Sequence, residues 1–501
     1  MKTLVNKLEK VMYLVLFLSS GIVAGQGTGV LYTCNDAYAY WNIVRFSPNY
    51  GFVNVSKPLS SAGIHLSLTG LGNIIDAFFP DNYDVKDMEI IDDTVFFCGV
   101  DNSSVSGFLG WFDINDLFYA SGSIHIDNTL LTLGLQRLDN IEVFRDQTGK
   151  VHVVGFGLHN VIPSKQYYAF EAVGNPVPGM YYRTADLING GDWDDIRDVT
   201  VTDNYVVYLE CERNYPCHPH HAYGIKLKAF PKYDMFSASQ FTEGFFQTIT
   251  NHYAYNNVLG CGFVLPDNDD PYNWEAKMVH IGEDKVAVCS YRSDLDNTNW
   301  TPTGCDPLSD CIVGINPNKY YLAHRIYDIS PILTNQPMVM LSAAIAELPD
   351  DVYNIDCFLF DNQNNTYIVQ HRLKTSPTTW ETAFTTLDFS SGSTPLYAIS
   401  DYQTYVNTYT DWLPESMCLF GDGGYLVSGR NLTDFSHFFW KSNINYVDGN
   451  CDKHQQYPMV EIPTYVSKDN QFLINASGTI LVFDEYFPEE VREMELLIKC
   501  N

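Results

Sequence analysis

The chain has 501 residues, 46% of them hydrophobic and only 18% charged, so it can bury a large core and is neither disordered nor collagen-like. Its 29 Lys and Arg stand against 60 Asp and Glu, a formal charge of -31 that repels phosphate backbones and anionic lipid. Nucleic-acid binding and electrostatic membrane docking are disfavoured on that ground.

The chain opens with a pattern of an export signal. Lys2, Lys7 and Lys10 precede an apolar run over 11–18, extended by Ser19, Ser20, Gly21, Ile22 and Val23, and the small pair Ala24-Gly25 suits a cut before Gln26. A run of that length is short of the roughly 20 residues a membrane span needs, and no second long apolar run follows. The expectation is a signal peptide over 1–25, then a single domain over 26–501 without a transmembrane span. No Cys follows the small residues, so no lipid anchor is expected at the new N-terminus. The expected location is periplasmic, cell-surface or extracellular. The mature chain would carry 26 basic and 59 acidic residues.

Downstream the periodicity is two. Segments such as Val85-Lys-Asp-Met-Glu-Ile-Ile, Thr94-Val-Phe-Phe and Val199-Thr-Val-Thr alternate or run β-branched and aromatic, bounded by Gly, Asp and Asn. The one helical candidate of note is 237–249, where a Ser can cap the start although Gly244 interrupts the middle. Strands do not alternate with long helices, so the fold class is all-β.

A loose repeat runs through these strands. Asp87-Met-Glu-Ile-Ile-Asp-Asp-Thr-Val-Phe-Phe-Cys98 aligns with Asp198-Val-Thr-Val-Thr-Asp-Asn-Tyr-Val-Val-Tyr-Leu209, with weaker copies at 278–289 and 417–427. Each reads as strand, tight acidic turn, strand. Further hairpins fit around Asp146, Asn362 and Asp469. Turn centres at Asp92, Asp146, Asp203, Glu283, Asn362, Asp422 and Asp469 fall 54, 57, 80, 79, 60 and 47 residues apart. Such an array reads as a β-propeller of seven blades, each sheet closed by its neighbours. Six or eight blades, a β-solenoid and tandem sandwiches stay open as alternatives. The run over 87–117, DMEIIDDTVFFCGVDNSSVSGFLGWFDINDL, resembles a unit of secreted propeller-like proteins of Bacteroidales-type gut bacteria, a group without an established activity. In that unit an Asp-Met-x-Ile/Val-x-Asp-Asp-Thr hairpin ending Phe-Cys-Gly precedes a Gly-Phe-x-Gly-x-Phe/Ile strand. The resemblance is partial at 198–211 and implies an exported β-propeller and no particular chemistry.

Twelve cysteines are spread along the chain. Cys211 with Cys217, and Cys305 with Cys311, have the spacing of small loop staples, and Cys451 with Cys500 could close a longer loop. Cys98, Cys289, Cys357 and Cys418 sit in apolar strand sequence, where Cys packs as a small hydrophobe.

Several segments could carry chemistry. Cys217-His-Pro-His-His221 offers imidazoles on one side of an extended chain, as Zn²⁺, Cu²⁺ or Ni²⁺ would need, against the plainer reading of an exposed polar loop. Acidic runs at 267–270, at Asp294, Asp296 and Thr298, and at Asp192, Asp194, Asp195 and Asp198 place oxygens at loop Ca²⁺ spacing without completing such a loop. Turn acids Asp92, Asp93 and Asp203 read as turn formers bonding their own backbone. Tyr167-Tyr168, Tyr181-Tyr182, Tyr320-Tyr321 and the stretch 402–412 offer aromatic faces for sugars, or fill the wedge between sheets. No Gly-x-Ser-x-Gly elbow and no phosphate loop occurs, and no catalytic or cofactor-binding residue stands out. The metal and cofactor content are left open. The expected function is an exported, non-catalytic propeller that binds a glycan or a cell-surface protein through loops at one end of its axis. The alternatives are a secreted glycoside hydrolase or lyase using axial carboxylates, and a cell-surface structural scaffold.

Overall fold

The computed structural model describes residues 30–49, 51–58, 63–68, 73–80, 83–118, 124–127, 135–161, 164–174, 181–186, 195–214, 222–233, 243–250, 276–294, 319–334, 338–348, 351–361, 366–376, 379–388, 401–407, 412–419, 424–431, 436–443, 452–455, 459–461, 465–472, 475–479, 483–486, 488–493 and 495–497. The expected signal segment, Cys217, Cys305, Cys311, Cys451 and Cys500 lie outside them. The chain forms two compact units, one of 1–138, 407–454 and 481–501, the other of 139–406 and 455–480. Both are built of antiparallel sheets, and among the described residues helix is confined to short pieces at Ile114–Phe118 and Ser330–Thr334.

In the first unit the strands begin with β1 (Val30–Ser47), β2 (Gly51–Pro58), β3 (Gly63–Leu68) and β4 (Asn73–Pro80). Then follow β5 (Tyr83–Ile91), β6 (Thr94–Asp101), β7 (Ser106–Asp113) and β8 (Ile124–Asp127). The second unit continues with β9 (Arg137–Arg145), β10 (Val151–Val161), β11 (Ser164–Gly174) and β12 (Tyr181–Asp186), which form sheet IV. Sheet V consists of β13 (Asp195–Val201), β14 (Tyr205–Asn214), β15 (Ala222–Pro231) and β16 (Glu243–Thr250). Sheet VI has β17 (Ala276–His280), β18 (Lys285–Asp294), β19 (Lys319–Asp328) and β20 (Val339–Leu348). Sheet VII has β21 (Asp351–Asp361), β22 (Thr366–Ser376), β23 (Thr379–Asp388) and β24 (Asp401–Asn407).

The chain then returns to the first unit with β25 (Trp412–Leu419), β26 (Gly424–Asn431) and β27 (Ser436–Asn443). These three form sheet I with the front of β1, where Val30 pairs Lys441 and Ala37 pairs Ser436. From Tyr38 onward the same strand pairs β2 instead, opening sheet II with β2, β3 and β4. Sheet III is β5 to β8.

The remaining chain is a run of short strands: β28 (Asp452–Gln455), β29 (Met459–Glu461), β30 (Tyr465–Phe472), β31 (Asn475–Thr479), β32 (Phe483–Tyr486), β33 (Pro488–Glu493) and β34 (Glu495–Leu497). In the second unit β29, β30 and β31 add a fifth strand to sheets VI, V and IV. In the first unit β32, β33 and β34 do the same for sheets III, II and I.

Two expectations are corrected here. Residues 243–249, expected to be helical, belong to β16, whose Glu-Gly-Phe-Phe-Gln-Thr-Ile-Thr sequence is rich in strand formers. Asp469 is not a turn centre but lies inside β30, opposite Phe246. The hairpin missing from the repeat is the first one, where Ser47 pairs Gly51. The turns at Asp92, Asp146, Asp203 and Glu283 do join the first and second strands of their sheets. The strands flanking 362–365 and 420–423 pair as expected of hairpins.

Sheets pack face to face through their middle strands, which explains why β6 and β7 read as continuous apolar runs rather than alternating ones. Val95 and Phe97 join Phe108, Phe112, Val53 and Val55 in a core between sheets II and III. Val154, Phe156, Tyr208 and Phe230 fill the junction of sheets IV and V, and Tyr205, Val207, Met278, Val286 and Tyr327 that of V and VI. Cys98 and Cys289 are buried in such strands, and burial pushes the Cys289 thiol upward against the pull of Arg325. Gly99 is forced by packing. The Asp84 carbonyl, beside the β-bulge between Val85 and Asp87, lies where a Cβ would stand.

Candidate functional site

The expected turn acids do more than form turns. Asp92 and Glu283 occupy equivalent positions with φ of 52° and 50°, as acidic turn residues can. The residue after each reaches into the preceding sheet. Asp284 Oδ1 accepts the Thr202 hydroxyl at 2.9 Å and the Asn204 backbone N–H at 2.9 Å, while Oδ2 accepts the Asn204 side-chain amide at 2.7 Å. The Asp203 N–H donates to the Glu283 carbonyl at 3.3 Å. Hence the turn of sheet V lies against the turn of sheet VI. In the first unit Asp93 accepts from Asn49 at 2.9 Å and from Asn115 at 3.2 Å. The backbone repeats too: Ile114 N–H bonds the Asp93 carbonyl, and Ile329 N–H the Asp284 carbonyl.

Carboxylates on the first strands of the sheets have defined partners. Asp198 follows a bulge, and its Oδ1 accepts its own next N–H, from Val199, at 3.1 Å. Its Oδ2 accepts the Met278 N–H of sheet VI at 2.7 Å. Edge-strand N–H groups have no ladder partner on that side, so a side-chain acceptor supplies one. Ser416 does the same for the Val44 N–H at 3.2 Å. Asp87 and Glu89 both hold Arg45, at 2.9 Å and 2.7 Å. Asp198, expected as part of an acidic Ca²⁺ patch, is thus an inter-sheet joint. Among the described residues no cluster of three His, Cys, Asp or Glu has the arrangement to hold a metal ion.

β13 runs toward the clasped turn and β14 away from it, so Asp195 and Asn214 stand at the end of sheet V away from that turn, as Ala276 and Asp294 do in sheet VI. His218, His220, His221, the acids at 267–270, Asp192, Asp194, Asp296 and Thr298 lie outside the described residues. Of the aromatic candidates, Tyr167 is 5% exposed and packs in the core between sheets IV and V. Tyr181, Tyr182, Tyr320 and Tyr321 are strand residues.

The junction of sheets IV and V holds polar groups that no motif signals. His152 Nδ1 lies 2.9 Å from Glu171 Oε1, and its Nε2 3.3 Å from Asp146 Oδ2. Phe144 stacks on that ring at 4.8 Å, and Lys232 Nζ sits 4.4 Å above Phe144. Burial lowers the Lys232 amine, partly offset by Asp203 and Asp284. Burial raises the Asp146 carboxyl, but hydrogen bonds from the Thr148 hydroxyl and N–H, the Lys150 N–H and His152 outweigh it and hold it at about 2. Deeper, Lys228 pairs with Glu210 at 2.7 Å, both side chains almost wholly buried. Long-range pairs of this kind leave no local spacing in sequence. Only the in-strand charges Glu210 and Lys228 amid apolar neighbours mark the place. In sheet VI, His324 is buried against Phe358 and Tyr367, and burial together with Arg325 lowers its imidazole to about 3, leaving it neutral.

No helix among the described residues is long and apolar enough to cross a membrane. A scan against protein-family models finds no match to this sequence, and a search of curated proteins finds no similar chain.

Proposed function

We propose that the protein is an exported, non-catalytic β-propeller of seven blades, one domain over 26–501, that binds a glycan or a protein ligand through the far-end connections. Sheets I to VII each bring four strands, and β1 is shared between sheet I, built from the C-terminal β25–β27, and sheet II, as the closure of such a ring requires. The observation that carries the binding reading is the asymmetry of the strand ends in sheets V and VI. One end has short turns hydrogen-bonded to each other. At the other, the strands stop at Asn214, Thr250 and Asp294, and the sequence that follows each is rich in Trp, His, Asp and Asn. Long connections on a rigid sheet scaffold are where binding residues concentrate. Asp87, Glu89 and Asp198, held by Arg45 and by backbone N–H groups, favour a binding role over axial acid catalysis.

The test is a panel of host and dietary glycans incubated with the chain from Gln26, with retention and products read together by mass spectrometry. Retention without products, lost when Trp193 or Trp300 becomes Ala, supports the reading. Product formation would replace it with a hydrolase or lyase. Neither retention nor products, with a protein partner recovered instead, would make the ligand a protein or the role a scaffold.

A further inference from the structure

The hairpin of β6 and β7 closes at the pair Asp101–Ser106, and its tip is Asn102-Ser103-Ser104-Val105. That tip ends on a strained residue. Val105 has a φ of 53°, a left-handed conformation that Gly or Asn adopts at little cost and a β-branched residue does not. Its side chain is 61% exposed, so burial does not offset the strain. The peptide bond that follows leads to Ser106, which is buried. Serine hydroxyls and one carboxylate are wired together beside that bond. Ser104 Oγ donates to Asp101 Oδ2 at 2.6 Å, and lies 2.6 Å from Ser106 Oγ. Ser104 has one hydroxyl proton and gives it to Asp101, so in the second contact Ser106 is the donor. The other carboxylate oxygen accepts the Ser103 N–H at 2.8 Å and the Ser103 hydroxyl at 2.6 Å. Burial raises the Asp101 carboxyl, but the hydrogen bonds from Ser103 and Ser104 outweigh it and lower it, so the relay ends on a carboxylate.

We propose that Ser106 cleaves its own chain at the Val105–Ser106 peptide bond, in a single self-processing event. Ser106 Oγ attacks the Val105 carbonyl carbon, closing a small ring through its own Cβ, Cα and N. Its proton passes to Ser104 as Ser104 passes its own to Asp101. The C–N bond then breaks, the proton returns along the relay to the Ser106 nitrogen, and Val105 is left as an ester on Ser106 Oγ. Water hydrolyses that ester to a Val105 carboxylate and regenerates the Ser106 hydroxyl beside a free amine. Because Ser106 is buried, its own backbone rather than an outside substrate is the electrophile within reach. Asn102, Ser103 and Val105 are exposed, which admits the water. Breaking the bond also frees Val105 from its strained φ. The ladder between β6 and β7 keeps the two pieces together afterwards. This processing is independent of the ligand reading, so glycan binding can fail without touching it.

The experiment incubates the full chain at neutral pH, separates it under denaturing conditions and reads intact masses by mass spectrometry. Two pieces are expected, one ending at Val105 and one beginning at Ser106. They should form at a rate independent of protein concentration and raised by hydroxylamine, which traps the ester. Ser106→Ala should abolish the cleavage and Ser106→Cys should retain it. Ser104→Ala, which cuts the relay, should slow it about a hundredfold. Val105→Gly, which relaxes the backbone, should slow it about tenfold. A chain that stays whole with and without hydroxylamine overturns the proposal. Cleavage of Ser106→Ala at the parent's rate also overturns it, in favour of a contaminating protease. If Ser106→Ala misfolds, Val105→Gly decides, because it keeps every hydroxyl and removes only strain: an unchanged rate there overturns the proposal.

Discussion

The junctions on either side of sheet V solve the same packing problem differently. Between V and VI the middle is apolar, with Tyr205, Val207, Met278, Val286 and Val288 in contact, and alignment comes from the edges, through Asp284 at the turn and Asp198 on the first strand. Between IV and V, Phe and Val share the interface with polar side chains: Lys228 and Glu210 in the interior, Glu171, His152 and Asp146 nearer the turn. Apolar contact is non-directional and tolerates sliding, whereas hydrogen-bonded pairs fix one position. The V–VI junction is therefore positioned at its rim and the IV–V junction from within. The consequence is that damage should be largest where the charge is deepest.

The largest effect is expected at Lys228. Lys228→Met leaves the Glu210 carboxylate buried without its cation and should cost about 3–5 kcal/mol, while the double change Lys228→Met with Glu210→Leu should return close to the parent or exceed it. Chemical denaturation of the three proteins measures this. A single variant as stable as the parent would show that the pair does not position the junction. Second in size is Asp284→Ala. It strips acceptors from the Thr202 hydroxyl and from both Asn204 groups, and should cost about 2–3 kcal/mol. Its counterpart in the first unit, Asp93→Ala, touches two more exposed amides and should cost about 1 kcal/mol. Equal losses at 93 and 284 would contradict the view that the clasp between V and VI is the stronger one.

What was legible in the sequence follows the same division. Strand and turn chemistry is local, so the hairpins at Asp92, Asp146, Asp203 and Glu283 stand out as strand-like runs around an acidic turn residue. The β1–β2 hairpin is hidden because Pro48, Asn49 and Tyr50 offer no acidic residue, and Asp469 imitates a turn centre because it sits between two strand-like runs. The helix expected over 237–249 rests on a capping Ser alone, with Gly244 already against it, and the ladders from β15 and β30 outweigh that cap. The partners of Asp198 and Asp284 lie about eighty residues away, outside any local window, and so leave no signature. A bulge residue followed by a β-branched or Met position, as in Asp87-Met88 and Asp198-Val199, is the one local mark such joints leave.

A third test reaches the junction of sheets VI and VII. His324 has a folded value near 3, below its ordinary value near 6.5, so unfolding takes up a proton over that interval. Its contribution is complete above pH 6.5 and declines as the pH falls from there toward 3. The unfolding midpoint of the parent should drop between pH 7 and pH 5 more steeply than that of His324→Gln. Parallel profiles would mean that another group governs acid sensitivity.

The smallest effect is expected at the rim of the IV–V junction, and its pH dependence separates it from the others. Asp146 is held at about 2, below the ordinary carboxylate value of 3.8, so its contribution is present above pH 3.8 and lost as the pH falls through about 2. Asp146→Asn keeps an oxygen for the Thr148 and Lys150 N–H groups but removes the charge facing His152. It should cost about 1 kcal/mol at pH 6 and almost nothing at pH 2. Combined with Lys228→Met, the double variant should lose less than the sum of the two single losses if both groups position sheet V as one unit, and the losses should simply add if the turn and the interior pair position it independently. Unfolding of the four proteins at pH 6 decides between a junction fixed as one unit and one fixed at two separate points. The stacking of Phe144 on His152, with Lys232 above it, favours the single unit, because it ties the Asp146 turn to a segment that leads directly out of β15, the strand that carries Lys228.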